Sequence, residues 1–119
     1  MAKPRVDAAE GQQAVHAVVG GSSQRNDVAT AVRYLLQLVT DRAPGHTVEL
    51  RVPPFGAIQC VEGPEHTRGT PPNVVEMDPA TWIARATGQQ TWSEAYDQGK
   101  ISASGVRSDV SYLFPLAQW

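Results

Sequence analysis

Residues 74–105 read VVEMDPATWIARATGQQTWSEAYDQGKISASG, and every strand, turn and cap signal in that stretch agrees with its neighbours. The β-rich run Val74 to Met77 leads into Asp78-Pro79, an acidic N-cap followed by proline at the first helical position. Gly88 stops that helix. Thr91 and Glu94 then have the spacing at which each side chain satisfies an orphan amide of a second helix, which Gly99 ends. From Lys100 to Val106 the period falls to two, with Ile101 and Ala103 on one face and Lys100, Ser102 and Ser104 on the other. The stretch is therefore strand, helix, helix, strand.

Working outward toward the N-terminus, Asp7 and Glu10 repeat the cap pattern before a helix over Ala8 to Val19, whose apolar side is Ala14, Val15, Val18 and Val19. Gly11 weakens that helix on propensity alone. A Gly-Gly-Ser-Ser loop follows, and Asn26 is placed to cap a longer helix ending near Asp41. Its Val28, Val32, Leu35, Leu36 and Val39 form one core-facing stripe, opposite Arg33, Gln37 and Thr40. His46 to Val52 alternates as a strand with Val48, Leu50 and Val52 inward, and Pro53-Pro54 ends it. Ala57 to Val61 forms a further strand, in which Ile58 and Cys60 compete with Ala57 and Val61 for the interior. Residues 62–73 are polar and rich in turn formers, as expected of a surface loop. Beyond Val106, Ser108 or Asp109 caps a short turn carrying Val110, Tyr112, Leu113 and Phe114.

The 119 residues allow one domain that buries roughly two thirds of the surface its unfolded chain exposes. Charged residues are 18% of the chain and the formal net charge is −2, which gives no electrostatic footprint for a nucleic-acid backbone or an anionic membrane. A lone cysteine, Cys60, and the lack of an apolar signal segment after Met1 make the cytoplasm the expected compartment. No stretch is long enough for stable insertion across a bilayer.

The densest polar cluster is Cys60, Glu62, Glu65, His66 and Arg68. A thiolate nucleophile needs a base and an orienting group converging in space, and linear spacing shows no such convergence, so a packed cysteine beside solvated loop charges is the better account. The three histidines, His16, His46 and His66, are widely separated, with no paired-ligand spacing for zinc. Gly20-Gly21 lies between two helices rather than between a strand and a helix, and no nucleophile elbow is present. No cofactor, metal or catalytic group is expected. The bulky residues Trp82, Ile83, Trp92, Tyr96, Tyr112, Leu113 and Phe114 carry more information, since such side chains either close a core or line a cavity.

Several motifs together resemble a known family. The run Thr87-Gly88, Trp92, Ala95, Gly99-Lys100-Ile101 and Ala103-Ser104-Gly105 is similar to the end of the sterol carrier protein type 2 domain, and most of all to its bacterial orthologue group. Pro72 to Glu76, Arg51 to Phe55 and Glu62-Gly63-Pro64 resemble the same group, so the likeness covers roughly residues 26–114, with 1–25 an added helix and linker in a single domain of 1–119. The resemblance implies an α+β fold, a mixed four- to five-stranded sheet covered on one face by helices. It also implies a hydrophobic cavity for a fatty acyl, sterol-like or other lipid, bound without chemistry.

By that resemblance the ligand-lining residues are Trp82, Ile83, Trp92, Tyr112, Leu113 and Phe114. The family's sheet has five strands where four are legible here, and its closing C-terminal helix is short, with Ala8 to Val19 as a substitute. Two other readings stand beside the carrier. One is an interaction module with a filled core, including a homo-oligomer. The other is an accessory domain related to mycothiol-dependent isomerases, whose metal-binding domain is absent from the chain.

Overall fold

The central strand is built from the clearest alternation in the chain. In a computed structural model, which describes residues 5–63 and 72–116, β1 spans Val48–Val52 and buries Val48, Leu50 and Val52 completely. It pairs antiparallel with β2 (Gly56–Cys60) and parallel with β3 (Asn73–Met77). β3 in turn pairs antiparallel with β4 (Ile101–Ser104). Among the described residues the sheet is four-stranded and mixed, in the order β2-β1-β3-β4.

Register sorts the side chains. Ile58, Leu50, Val75 and Ala103 lie in one row across the sheet, and Gln59, Glu49, Val74 and Ser104 in the next. The first row is on the helix-covered side; the second is on the open side, where Glu49 and Arg51 form an ion pair. Cys60 is fully buried and Ala57 exposed, which decides the facing that the β2 sequence left open.

Among the described residues four α-helices complete the α+β fold. The long α2 (Arg25–Arg42) lies across the sheet with Val32, Leu35, Leu36 and Val39 inward, and α3 (Pro79–Ala86) packs beside it. α1 (Ala8–Val19) packs on α2. It is therefore a second layer rather than the substitute for a closing helix that the sequence suggested, and none of its residues lines either of the cavities described below. Gly11 is at that contact: a Cβ there would overlap the ring of Tyr34.

The short helices begin where the sequence places them. The Thr81 amide donates to Asp78 Oδ1 at 2.8 Å with Pro79 at the first position. Thr91 and Glu94 close a reciprocal capping box, at 3.1 and 3.0 Å, that starts α4 (Trp92–Asp97). Gly88 and Gly99 end the two helices at φ of +81° and +72°, where a Cβ would be strained. α2 is different. Its N-cap is Gln24, with no side-chain cap bond, and Asn26 falls inside the first turn. Ser22 orders that end instead, donating to Asp27 at 2.6 Å and accepting from the Gln24 amide at 3.3 Å. Asp27 also places negative charge at the helix N-terminus.

Two polar contacts hold distant segments. Asn73, 2% exposed, donates to the Thr47 carbonyl at 3.0 Å and accepts from the Arg107 amide at 2.8 Å, joining the start of β1 to the turn after β4. At the C-terminal end of α2, Arg42 donates from Nη1 to the Leu113 and Pro115 carbonyls at 2.8 and 3.2 Å, and from Nη2 to that of Leu116 at 3.3 Å. A 3₁₀ turn, Ser111–Leu113, lies in that tail, and Asp109 accepts the Ser111 amide at 3.0 Å.

Candidate functional site

Because Gly88 stops α3 and the capping box restarts the chain within four residues, α3 and α4 are separate helices with a corner between them. α4 buries Ala95 completely and reaches over β4. On β4, the inward position next to Ile101 is only an alanine, Ala103. The tail from Ser108 to Pro115 forms the remaining wall. A cavity of about 740 Å³ results, within the size range of small-molecule sites. Its apolar lining is Trp92, Tyr96, Ala103, Phe114 and Pro115, and Arg85, Gln90, Thr91, Ser93, Ser108, Asp109 and Ser111 supply polar groups.

Arg85 is the unusual member of that wall. It is 5% exposed. Its Nη1 donates to the Gln90 carbonyl, its guanidinium carbon lies 5.3 Å from the Phe114 ring centroid, and its buried Nε–H has no hydrogen-bond partner among the described residues. Burial pulls the guanidinium pKa below its ordinary value, against which the nearby Glu94 carboxylate acts. An arginine stays protonated under these conditions, so the wall carries a fixed positive charge. Across the cavity Asp109 is held below the usual carboxylate range by its hydrogen bonds to Ser111.

The six residues singled out in the sequence divide three ways. Trp92 and Phe114 line the cavity together. Trp82, Ile83 and Leu113 belong to the core behind it, at 0%, 4% and 5% exposure. The Trp82 indole N–H donates to the Val32 carbonyl at 3.3 Å, which draws the ring toward α2, and its other side meets Phe114 edge-on at 5.5 Å. Tyr112 is 68% exposed and lines neither cavity. Tyr96, one of the bulky set, also lines the cavity, and so do Arg85, Ala103 and Ser108, which are not of that set. For Arg85 a signal existed, because it follows Trp82 by three residues and so shares its face of α3.

A second concavity, of about 640 Å³, lies at the β2 edge between α2 and the N-terminal segment. Leu36, Phe55 and Ile58 form its apolar part, with Arg5, Arg33, Gln37 and Thr40 around them. The first of these arginines is paired with Asp41 at 2.8 Å.

Of the polar cluster near β2, Cys60 points into the core and burial pushes its thiol up to about 11, so at neutral pH it is an unreactive thiol. Glu65, His66 and Arg68 lie outside the described residues. Among the described residues no group of three or more histidine, cysteine or carboxylate side chains is placed to hold a metal ion. No helix among them is long and apolar enough to cross a membrane.

Comparison with curated proteins finds no match for the chain. A family model does match, the one described as bacterial SCP ortholog, and it spans residues 24–116, from the N-cap of α2 to the end of the described tail. That span contains the whole sheet, α2 to α4 and every residue of the 740 Å³ cavity, and leaves out α1. With its mixed sheet, its helices on one face and that match, the chain belongs to the bacterial group of sterol carrier protein-like domains.

Proposed function

We propose that this protein is a non-catalytic carrier in the cytoplasm that holds a lipid chain in the cavity between α3, α4, β4 and the C-terminal tail. Family membership supports a lipid-binding role at the level of the group. The observation that carries the finer reading is the cavity itself, with the Trp92 and Phe114 rings on its walls and the small Ala103 on its floor. Apolar walls with a few polar groups are what a long-chain ligand requires. The inert Cys60 thiol fits a carrier better than a thiol enzyme.

Native mass spectrometry of the purified protein, paired with displacement of a fluorescent fatty acid, tests the reading. Saturable displacement that Ala103→Phe weakens, with the circular dichroism spectrum unchanged, is the expected outcome. Absence of both bound lipid and saturable displacement refutes it.

A second reading, a self-associating interaction module, is favoured by one observation. The layer between α2 and the sheet is filled, while Tyr96, Tyr112 and Val106 are exposed at 53%, 68% and 100%. Sedimentation equilibrium distinguishes it, since a module of this kind associates with no ligand present.

A further inference from the structure

Within the carrier reading, on which this rests, we infer that Arg85 is the head-group anchor of the cavity, and that the ligand it selects is an amphiphile ending in a carboxylate, in preference to a neutral sterol or alcohol.

Arg85 is more than nine-tenths buried. A cation removed from water to that degree is ordinarily paired with an anion, because desolvation without a partner is costly. Its protein surroundings supply less than that. A guanidinium has five N–H donors. One of Arg85's reaches the Gln90 carbonyl, and among the described residues its Nε–H reaches no acceptor. Among the described residues Glu94 is the acid whose charge acts on it, and that carboxylate is exposed and accepts the Thr91 amide at 3.0 Å in the capping box.

Gln90 and Phe114, which hold the guanidinium in place, both line the cavity, as does Arg85 itself. The incompletely paired charge is thus in the cavity wall. A planar guanidinium fork matches a carboxylate, and a hydrogen bond between two charges is stronger than one between neutral groups. A sterol hydroxyl offers neither the charge nor the second acceptor. The Asp109 carboxylate on the tail wall disfavours an anionic head at that side. The chain then lies along Trp92 and Phe114 with its head at the α3 end.

The test uses the full chain loaded with Nile red, a neutral dye, titrated with dodecanoate, dodecanol, methyl dodecanoate and acetate. The head-group series on the native protein needs no variant. Dodecanoate should displace the dye at a concentration roughly tenfold to a hundredfold below that for the alcohol or ester, the range expected of a hydrogen bond to a charged group. Acetate, which has the head without the chain, should displace nothing in that range.

In Arg85→Met the preference for acid over alcohol should vanish while the affinity for dodecanol changes by less than about twofold. Arg85→Lys should keep part of the preference, and it serves if the methionine variant fails to fold. Equal displacement by acid and alcohol in the native protein overturns the inference and leaves the carrier reading in place. So does a preference that survives both substitutions, or displacement by acetate alone. If no dodecyl compound displaces the dye and native mass spectrometry finds no lipid, the carrier reading falls and this inference with it.

Discussion

Gly11→Ala should destabilise this protein, although the same change in most helices does the opposite. Gly11 is at the end of the first turn of α1, its amide bonded to the Asp7 carbonyl, and alanine within a helix is ordinarily better than glycine by about 1 kcal/mol. Here a Cβ at residue 11 would overlap Cγ, Cδ1 and Cδ2 of Tyr34, whose side chain is 5% exposed between α1 and α2. These are atoms of a rigid ring near its attachment to the backbone, so they cannot swing aside as the end of a flexible chain would. Either the ring leaves its rotamer or the two helices separate. Overpacking of this kind costs about 1–3 kcal/mol, and separating the helices would also expose Ala14 and Val15, which α1 now buries.

Taken against the propensity gain, the net expectation is a loss of up to about 2 kcal/mol, read as a lower urea midpoint with the m-value unchanged. A double-mutant cycle isolates the cause. In a Tyr34→Ala background the obstruction is gone, and Gly11→Ala should raise the midpoint instead. A raised midpoint in the wild-type background, or the same shift in both backgrounds, refutes the packing argument.

Two further perturbations probe the scaffold around the cavity. Asn73→Ala removes both bonds that join Thr47 to Arg107 and leaves a buried carbonyl without its donor, so a loss of about 2–3 kcal/mol is expected in chemical denaturation; a loss below about 0.5 kcal/mol would show those bonds to be idle. For acid stability, Glu94, Asp109 and Asp41 are all held below the ordinary carboxylate range, by bonds to Thr91, Ser111 and Arg5 respectively. The unfolded chain therefore binds protons first, and the stability that these groups contribute is present above the unfolded carboxylate pKa of about 4 and is lost as pH falls through their lower folded values. Glu94→Gln keeps an acceptor for the Thr91 amide, so it should flatten the acid limb of the urea-midpoint profile while changing the neutral-pH midpoint little; an unchanged acid limb would exclude Glu94 as a contributor.

How much of this could be read from the chain depended on the range of the interaction concerned. Asp78-Pro79 and Thr91-x-x-Glu94 were legible because each cap is completed within four residues. The alternation of β1 and β4 was legible because one face of the sheet is covered and the other open. Asn26 misled because cap identity depends on where the preceding loop turns, and Ser22 with Asp27 orders that turn. Gly11 looked like a weakness because its reason, the Tyr34 ring, is on another helix.

The candidate site was only partly legible for the same cause. Bulk marked Trp82, Trp92 and Phe114 as residues that close a core or line a cavity, but which of them meets a neighbour and which meets empty space depends on the tail, and the tail is placed by Arg42 more than seventy residues earlier. A buried arginine such as Arg85 runs against the ordinary sorting of side chains, so its charge argues for solvent where its spacing from Trp82 argues for the interior.

That Arg42 contact has a kinetic side. The tail is held by one guanidinium gripping three carbonyls, by the Leu116 amide bonded to the Ala86 carbonyl at 2.9 Å, and by the buried side chains of Val110, Leu113 and Leu116. The sheet side of the cavity, by contrast, is laced into β3 along its length. Local opening is cheapest where the fewest bonds must break together, which makes the tail the wall that yields first. In the carrier proposed above, the residence time of the lipid would then depend on the far end of α2, on a side chain that does not line the cavity.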